Sequence, residues 1–403
     1  MTTALLQNKC PLCGEEVKNN SIFEINNIPT TQNIFYNTSE EAKNCLKGDI
    51  NLVLCDNCSL VFNSRFEPDT TNYSESYSVD FTYSPYYVSY INNQIEHLIK
   101  SNVYNDNSTI IDVGCGKGFY INTLAEKLKG CSLYGFDTSY EGVLNIPDKN
   151  IRFVKSYYPS NDIEIKPDTI INRQVFEHIT DPISFLKSFR NSLDLNSYLY
   201  IEVPDFDWIV NNNSIFDIYY EHCAYWSKFS LTNALRLTGF NVESIISSFD
   251  SGSVIPNFAG INLCVVAKAI ENYGNLIKPG KDLKVDLKNH FSSLFSKYAN
   301  SLKKIASINK NMAIWGAGPK GYTFVNFFDV DRTYFSTLID INPVKTNLYI
   351  GKTAHKIISP SDIKSSKIDF IVILNPFYAN EIKSYLFDNN LSRIDVIIFN
   401  DLL

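Results

Sequence analysis

Short apolar runs alternate along the chain with segments whose apolar residues recur every three or four positions. The first kind predicts buried strands ahead of Gly114 and at Ser132–Phe136, Asp168–Asn172, Tyr198–Val203 and Cys264–Ala267. The second predicts helices at Tyr90–Ser101, Ile121–Leu128, Asp181–Ser192 and Ser230–Thr238. Strand and helix in turn is the pattern of a doubly wound α/β sheet, with its ligand at the carboxyl ends of the strands. A long charged helix, about Lys281–Ser307, then leads to a new strand at Ala313–Trp315 and others at Thr337–Ile339 and Phe370–Leu374. That last unit is short for a full dinucleotide fold, and half a sheet is expected there.

Before residue 66 the periodicity is weak and cysteine carries the information. Cys10-Pro-Leu-Cys13 and Cys55-Asp-Asn-Cys58 are two Cys-x-x-Cys pairs, the usual way to offer four thiolates tetrahedrally to one Zn²⁺. Four sulfur ligands leave no open position, so the expected zinc is structural, and so small a unit needs such a staple. Cys45 lies between the pairs as a spare. The nine cysteines are odd in number, and no signal peptide is read at the start, which argues against a disulfide framework.

Composition narrows the classes. The 403 residues predict two to four domains, and 44% hydrophobic with 20% charged residues is an ordinary globular balance. The formal net charge of −7 gives no general reason to bind nucleic acid or an anionic membrane. The longest apolar runs fall far short of the roughly 18 residues of a membrane span. A soluble, cytoplasmic protein is expected.

Asp112-Val-Gly-Cys-Gly-Lys-Gly118 links a strand to a helix. Gly114, Gly116 and Gly118 remove Cβ atoms that would keep a ligand off the backbone at that tight turn. The second strand ends at Asp137, placed to accept hydrogen bonds from a ribose diol. Asp112, and the absence of Gly-x-Gly-x-x-Gly spacing, favour S-adenosylmethionine over NAD. Gln174, at another strand end, is placed to reach the methionine part. Gly316, Gly318 and Gly321 do have that spacing, with Asp340 following. NAD, the nucleotide portion of a substrate and a purely structural turn all fit them, and Lys320 is a candidate for a local basic patch.

The most unusual string is Phe216-Asp-Ile-Tyr-Tyr-Glu-His-Cys-Ala-Tyr-Trp-Ser227. It is expected to form a loop above the cofactor, where Tyr219, Glu221 and His222 surround a reacting proton. Imidazole alone has an unperturbed pKa near neutrality; hydrogen bonding of His222 to a buried carbonyl is the bland alternative. The tyrosine-rich stretch 67–90 reads either as a packed connector or as a lid that supplies a hydroxyl.

With the paired Cys-x-x-Cys motifs, Asp112–Gly118, Tyr-Tyr-Glu-His and Trp315–Gly321 in this order, the chain resembles the sugar C-methyltransferases over nearly its whole length. The resemblance implies a zinc-binding unit (1–66), an S-adenosylmethionine-dependent methyltransferase domain (67–275) and a Rossmann-like unit (276–403) that helps hold a nucleotide-linked keto sugar. It implies Tyr219, Glu221 and His222 as catalytic residues, and a further tyrosine within Tyr73–Tyr83, assigned to Tyr77. Tyr220 stands where the family usually has histidine. The implied chemistry is an enolate formed by His222 as base, with Glu221 as its orienting or proton-relaying partner and Tyr219 donating to the substrate oxygen. O-methylation of a sugar or related small molecule is the alternative. A zinc-stapled interaction module and an NAD-dependent oxidoreductase are the other classes weighed.

Overall fold

The computed structural model describes residues 9–17, 20–71, 80–159, 165–247, 261–279, 286–308 and 311–402. Its central sheet has eight strands, in spatial order Phe240–Ile246, Asn262–Ala269, Tyr198–Pro204, Thr169–Arg173, Thr109–Val113, Ser132–Phe136, Ile151–Val154 and Asn145–Ile146. The strands from Tyr198–Pro204 to Ile151–Val154 are parallel. Asn262–Ala269 runs antiparallel between its two neighbours, so the expected late strand is present with its direction reversed.

Side chains on these strands alternate between two cores. Ile110, Ile171 and Tyr200 pack with Ile91, Ile95 and Leu124 of the helices Pro85–Lys100 and Phe119–Lys127. Ile111, Ile170, Leu199 and Ile201 pack with Leu186, Phe189 and Leu231 of the helices Pro182–Ser192 and Lys228–Leu237. Burial on both faces explains why the strands read as continuous apolar runs. The helix expected from Tyr90 starts earlier, at Pro85, because Ser84 caps it by accepting from the Tyr87 amide and proline suits the first helical position.

The last sheet is larger than the expected half. It has seven strands, ordered Asp395–Ile398, Phe370–Ile373, Met312–Trp315, Phe335–Ile339, Lys356–Ile358, Tyr349–Ile350 and Phe35–Tyr36. The first five are parallel, and Phe35–Tyr36 comes from the N-terminal part of the chain. The reverse loan occurs in a four-stranded sheet of Ser21–Pro29, Lys47–Leu54, Val61–Asn63 and Ala224–Tyr225. Its last strand belongs to the unusual string. Helix Leu287–Ile308 buries Leu287, Phe291, Leu294, Tyr298, Leu302 and Ile305 as one stripe, and Phe291 meets Phe23 edge-on with ring centroids 5.8 Å apart. No helix among the described residues is long and apolar enough to cross a membrane.

Helix Pro319–Phe328 rests directly on the turn that precedes it. A Cβ at Gly321 would lie 1.9 Å from the Gly316 carbonyl oxygen. Gly321→Ala is therefore expected to lower stability by about 1–3 kcal/mol, read as a fall in the thermal unfolding midpoint.

Candidate active site

The two cysteine pairs have the same local architecture. Gly14 donates its amide to the Cys10 carbonyl and Ser59 to that of Cys55, each at 2.8–2.9 Å. Both residues are left-handed, with φ of 73° and 59°. These turns bring Cys10 and Cys58 sulfurs to 3.4 Å and Cys13 and Cys55 to 3.5 Å, and all four sulfurs lie within 4.8 Å of one another. Hydrogen bonding among the sulfurs, together with burial, pushes the Cys10 and Cys58 thiols far up. Cys45 is buried but stands outside the group.

At the first glycine turn, Gly116 has φ of 53° and a Cβ there would meet no protein atom within 4 Å, so its exposed side faces open cavity. At Gly114 the same atom would strike Val175, and at Gly118 it would strike Phe153. Asp137 pins the loop: it accepts from the Gly116 amide at 2.8 Å, and from the Ser139 amide and hydroxyl at 2.8 and 2.7 Å. A carboxylate has about four acceptor positions, so capacity remains for a ribose hydroxyl. Asp112 is buried, and desolvation pushes it up to about 7 against the opposing pull of Arg173.

Gln174, in a left-handed conformation with φ of 55°, lines the cavity beside these groups and donates from Nε2 to Glu202 at 3.2 Å. Glu202 also receives Arg173 Nε at 2.8 Å, the Tyr90 hydroxyl at 2.9 Å, Gln94 Nε2 at 3.0 Å and Asn262 Nδ2 at 2.9 Å. Burial alone would raise it, but Arg173 and these donors hold it below the ordinary carboxylate range.

The Phe216–Ser227 string is not a free loop: every residue from Ser214 to Ser227 is buried. Tyr219, Glu221 and His222 line the cavity. The Tyr219 hydroxyl donates to Asp217 Oδ1 at 2.7 Å, and burial pushes the phenol far above its usual range. Glu221 Oε1 accepts from the Gln32 amide at 3.2 Å. The His222 ring meets those of Tyr219 and His178 edge-on, each at 4.8 Å. Its Nδ1 is buried without a hydrogen-bond partner, and burial, then His178, holds it neutral, well below the usual histidine range. Tyr220 points the other way. Its hydroxyl accepts from the Glu67 amide and the Thr70 hydroxyl at 3.1 Å, and its ring packs against Phe66. Tyr77 lies outside the described residues. From the same stretch, Tyr83, Tyr86, Tyr87 and Tyr90 line the cavity.

Two further residues of the strand-end string 172–178, to which Gln174 belongs, complete the group. Glu177, His178 and His222 bring their ligand-type atoms within 4.8 Å of one another. Glu177 Oε2 is buried without a partner, and desolvation pushes this carboxyl up to about 8. His178 donates from Nδ1 to the Glu221 carbonyl at 2.8 Å, and burial lowers it to about 4. The acid–histidine dipeptide Glu177-His178 at a strand end, repeated as Glu221-His222, was the available signal.

At the second glycine turn, Asp340 is committed internally. It accepts from the Ala317 amide and Lys345 Nζ at 3.0 Å and from the Asn342 amide at 2.9 Å. Asp137 holds its own turn with the same kind of backbone amide contacts, and what sets Asp340 apart is its buried ion pair with Lys345.

Residues 87–245 match the family profile described as "Methyltransferase domain", and residues 285–389 match "C-methyltransferase C-terminal domain". The chain thus carries a methyltransferase domain in its centre and a C-methyltransferase-type domain behind it. Ribosomal RNA small subunit methyltransferase A of Mesomycoplasma hyopneumoniae (strain J) is 32% identical over 100 residues, covering 24% of this chain and 38% of that protein. The tRNA U34 carboxymethyltransferase of Campylobacter fetus subsp. fetus is 34% identical over 101 residues, covering 23% and 35%. The chain thus spans well under half the length of these curated relatives. Among solved structures, 1,6-didemethyltoxoflavin-N1-methyltransferase of Burkholderia thailandensis is similar at 15% identity, with 45% of this chain and 79% of that chain covered and a TM-score of 0.34.

His178 is held neutral in the fold and protonates with a pKa near 6.5 when unfolded, so the unfolded state binds more protons as pH falls from 6.5 to 4. His178→Gln should lose about 2–3 kcal/mol less stability than the natural protein across that window, measured by thermal unfolding at each pH.

Proposed function

We propose that the protein is an S-adenosylmethionine-dependent methyltransferase acting on carbon of a nucleotide-linked keto sugar. The observation that carries this reading is one continuous cavity of about 1270 Å³ whose wall includes Asp112–Gly116, Tyr219, Glu221, His222 and the turn at Gly316 and Gly318. A single drug-sized ligand occupies about 300–1,000 Å³, so the space suits a cofactor together with an extended second molecule. The open face of Gly116 and the buried Asp112 carboxyl fit the amino-acid end of the cofactor, and Asp137 fits its ribose.

When bound there, S-adenosylmethionine supplies an electrophilic methyl group and leaves as a neutral thioether. The protein's share is proton transfer and orientation. His222, neutral and facing the cavity, takes the proton from the carbon beside the ketone, and the C–H electron pair moves onto the ketone oxygen as an enolate. The Glu177 carboxyl, within 4.8 Å of a His222 ring nitrogen, is the group available to stabilise the imidazolium that forms. Tyr219 donates to the enolate oxygen. Glu221 fixes the segment through the Gln32 amide and, by its carbonyl, the orientation of His178. The C-terminal turn takes the nucleotide end, in line with the C-methyltransferase-type domain found there.

A sugar hydroxyl as acceptor is the second reading. With its proton donated toward Asp217, the Tyr219 oxygen retains lone pairs to accept from a substrate hydroxyl. A mass-spectrometric assay in D₂O, with uridine, thymidine and guanosine diphosphate-linked 4-keto sugars, separates the two. Methylation on carbon, with deuterium entering beside the ketone, is expected. His222→Gln should reduce both by at least about a hundredfold while leaving cofactor binding intact. Cofactor binding with neither signal would remove the keto-sugar reading.

The four cysteines are proposed to hold one structural zinc. A tetrahedral ion with Zn–S of about 2.3 Å places sulfurs about 3.8 Å apart, close to the separations observed. The purified protein should contain about one zinc per chain, and Cys58→Ser should lose it and unfold at lower temperature. A metal-free protein of unchanged stability would overturn the assignment.

A further inference from the structure

We propose that Lys320, contributed by the C-terminal unit, is a positioning residue for Tyr219: its ammonium neutralises Asp217, so that the Tyr219 hydroxyl can pass its hydrogen bond from Asp217 to the substrate oxygen. This rests on the reading of Tyr219 as a residue that faces substrate.

Lys320 stands in the first turn of helix Pro319–Phe328, just past the second glycine turn. Its side chain is only 11% exposed and that of Asp217 only 4%, and the two form a direct ion pair. The ammonium lies 5.1 Å from the ring centroid of Trp208 and 5.6 Å from that of Phe216. Burial pulls the Lys320 pKa down and Asp217 opposes that pull. Asp217 has three partners: Oδ2 takes Lys320 and the Ser214 hydroxyl at 2.6 Å, while Oδ1 takes the Tyr219 hydroxyl at 2.7 Å.

The chemistry of that carboxylate decides what Tyr219 can do. A phenol has one proton to give. An unpaired buried carboxylate would hold it in a strong charge-assisted bond, leaving none for substrate. With its charge balanced by Lys320 and its other oxygen doubly occupied, Asp217 is a weaker acceptor, and an oxyanion developing on substrate can compete for the proton. A buried ion pair is a poor way to add stability compared with apolar packing. Here it links the site to the C-terminal unit, whose Phe324 also meets Phe216 edge-on at 5.7 Å.

The test uses the full chain with the panel sugar that turns over fastest. Lys320→Met should lower kcat by about tenfold or more, with S-adenosylmethionine affinity unchanged, and Lys320→Arg should recover most of the rate. Adding Asp217→Asn to Lys320→Met should restore part of the rate, because the uncompensated carboxylate is gone. Full kcat in Lys320→Met, or a parallel loss of cofactor affinity, would overturn the proposal. If Lys320→Met does not fold, the comparison of Asp217→Asn with Asp217→Asn/Lys320→Met decides: the second change should then have little effect on kcat. If no panel sugar reacts, the keto-sugar reading fails, and a thermal-stability cycle of Lys320→Met with Tyr219→Phe still judges the link. Additive effects in that cycle would refute it.

Discussion

The site depends on burying a polar segment. From Ser214 to Ser227 no residue reaches solvent appreciably, yet the stretch contains two carboxylates, a histidine and three tyrosines. Buried backbone and side-chain polar groups must find partners, and the segment supplies only some of them itself. Asn63 donates its amide to the Cys223 carbonyl at 3.0 Å, Ala224 and Tyr225 pair with Phe62 and Val61, Gln32 reaches Glu221 and Lys320 reaches Asp217. Each part of the chain thus holds one portion of the same segment.

That dependence also shapes the electrostatics. In so dry a place the neutral forms of histidine and glutamate are favoured together, which is why His178, His222 and Glu177 are displaced in opposite senses from their ordinary ranges. A group of three that stays uncharged when empty can accept or release one proton without any side chain moving far. Glu202 shows the contrasting solution: with Arg173 and several donors around it, a carboxylate remains charged at the same depth and serves as scaffold.

Much of the central architecture was legible because local pattern and tertiary environment agree there. Ser132–Phe136 falls where its apolar run predicts, and the Asp112–Gly118 turn needs little beyond neighbouring strand and helix to be read. The borrowed strands were not legible. Phe35–Tyr36 and Ala224–Tyr225 are two residues long, too short for any period, and their partners, Tyr349–Ile350 and Val61–Phe62, lie in distant parts of the chain. Chemistry split across the chain was hidden for the same reason. Glu221 and His222 are adjacent in sequence, which drew attention to that pair, whereas Glu177 reaches His222 only because the strand Thr169–Arg173 ends beside the buried segment. Lys320 reads in the sequence as a candidate for a local basic patch, and the fold instead gives that charge a carboxylate partner.

The two borrowed strands bear on how such a chain can change over generations. Phe35–Tyr36 closes the free edge of the C-terminal sheet by pairing with Tyr349–Ile350, and an uncovered edge is a template for unwanted pairing between molecules. Recombination that replaced the C-terminal part with one of different edge geometry would strand this pairing on both sides. An exchanged C-terminal part would therefore have to present an edge that Phe35–Tyr36 still fits, a demand that substitutions along the cavity wall do not make.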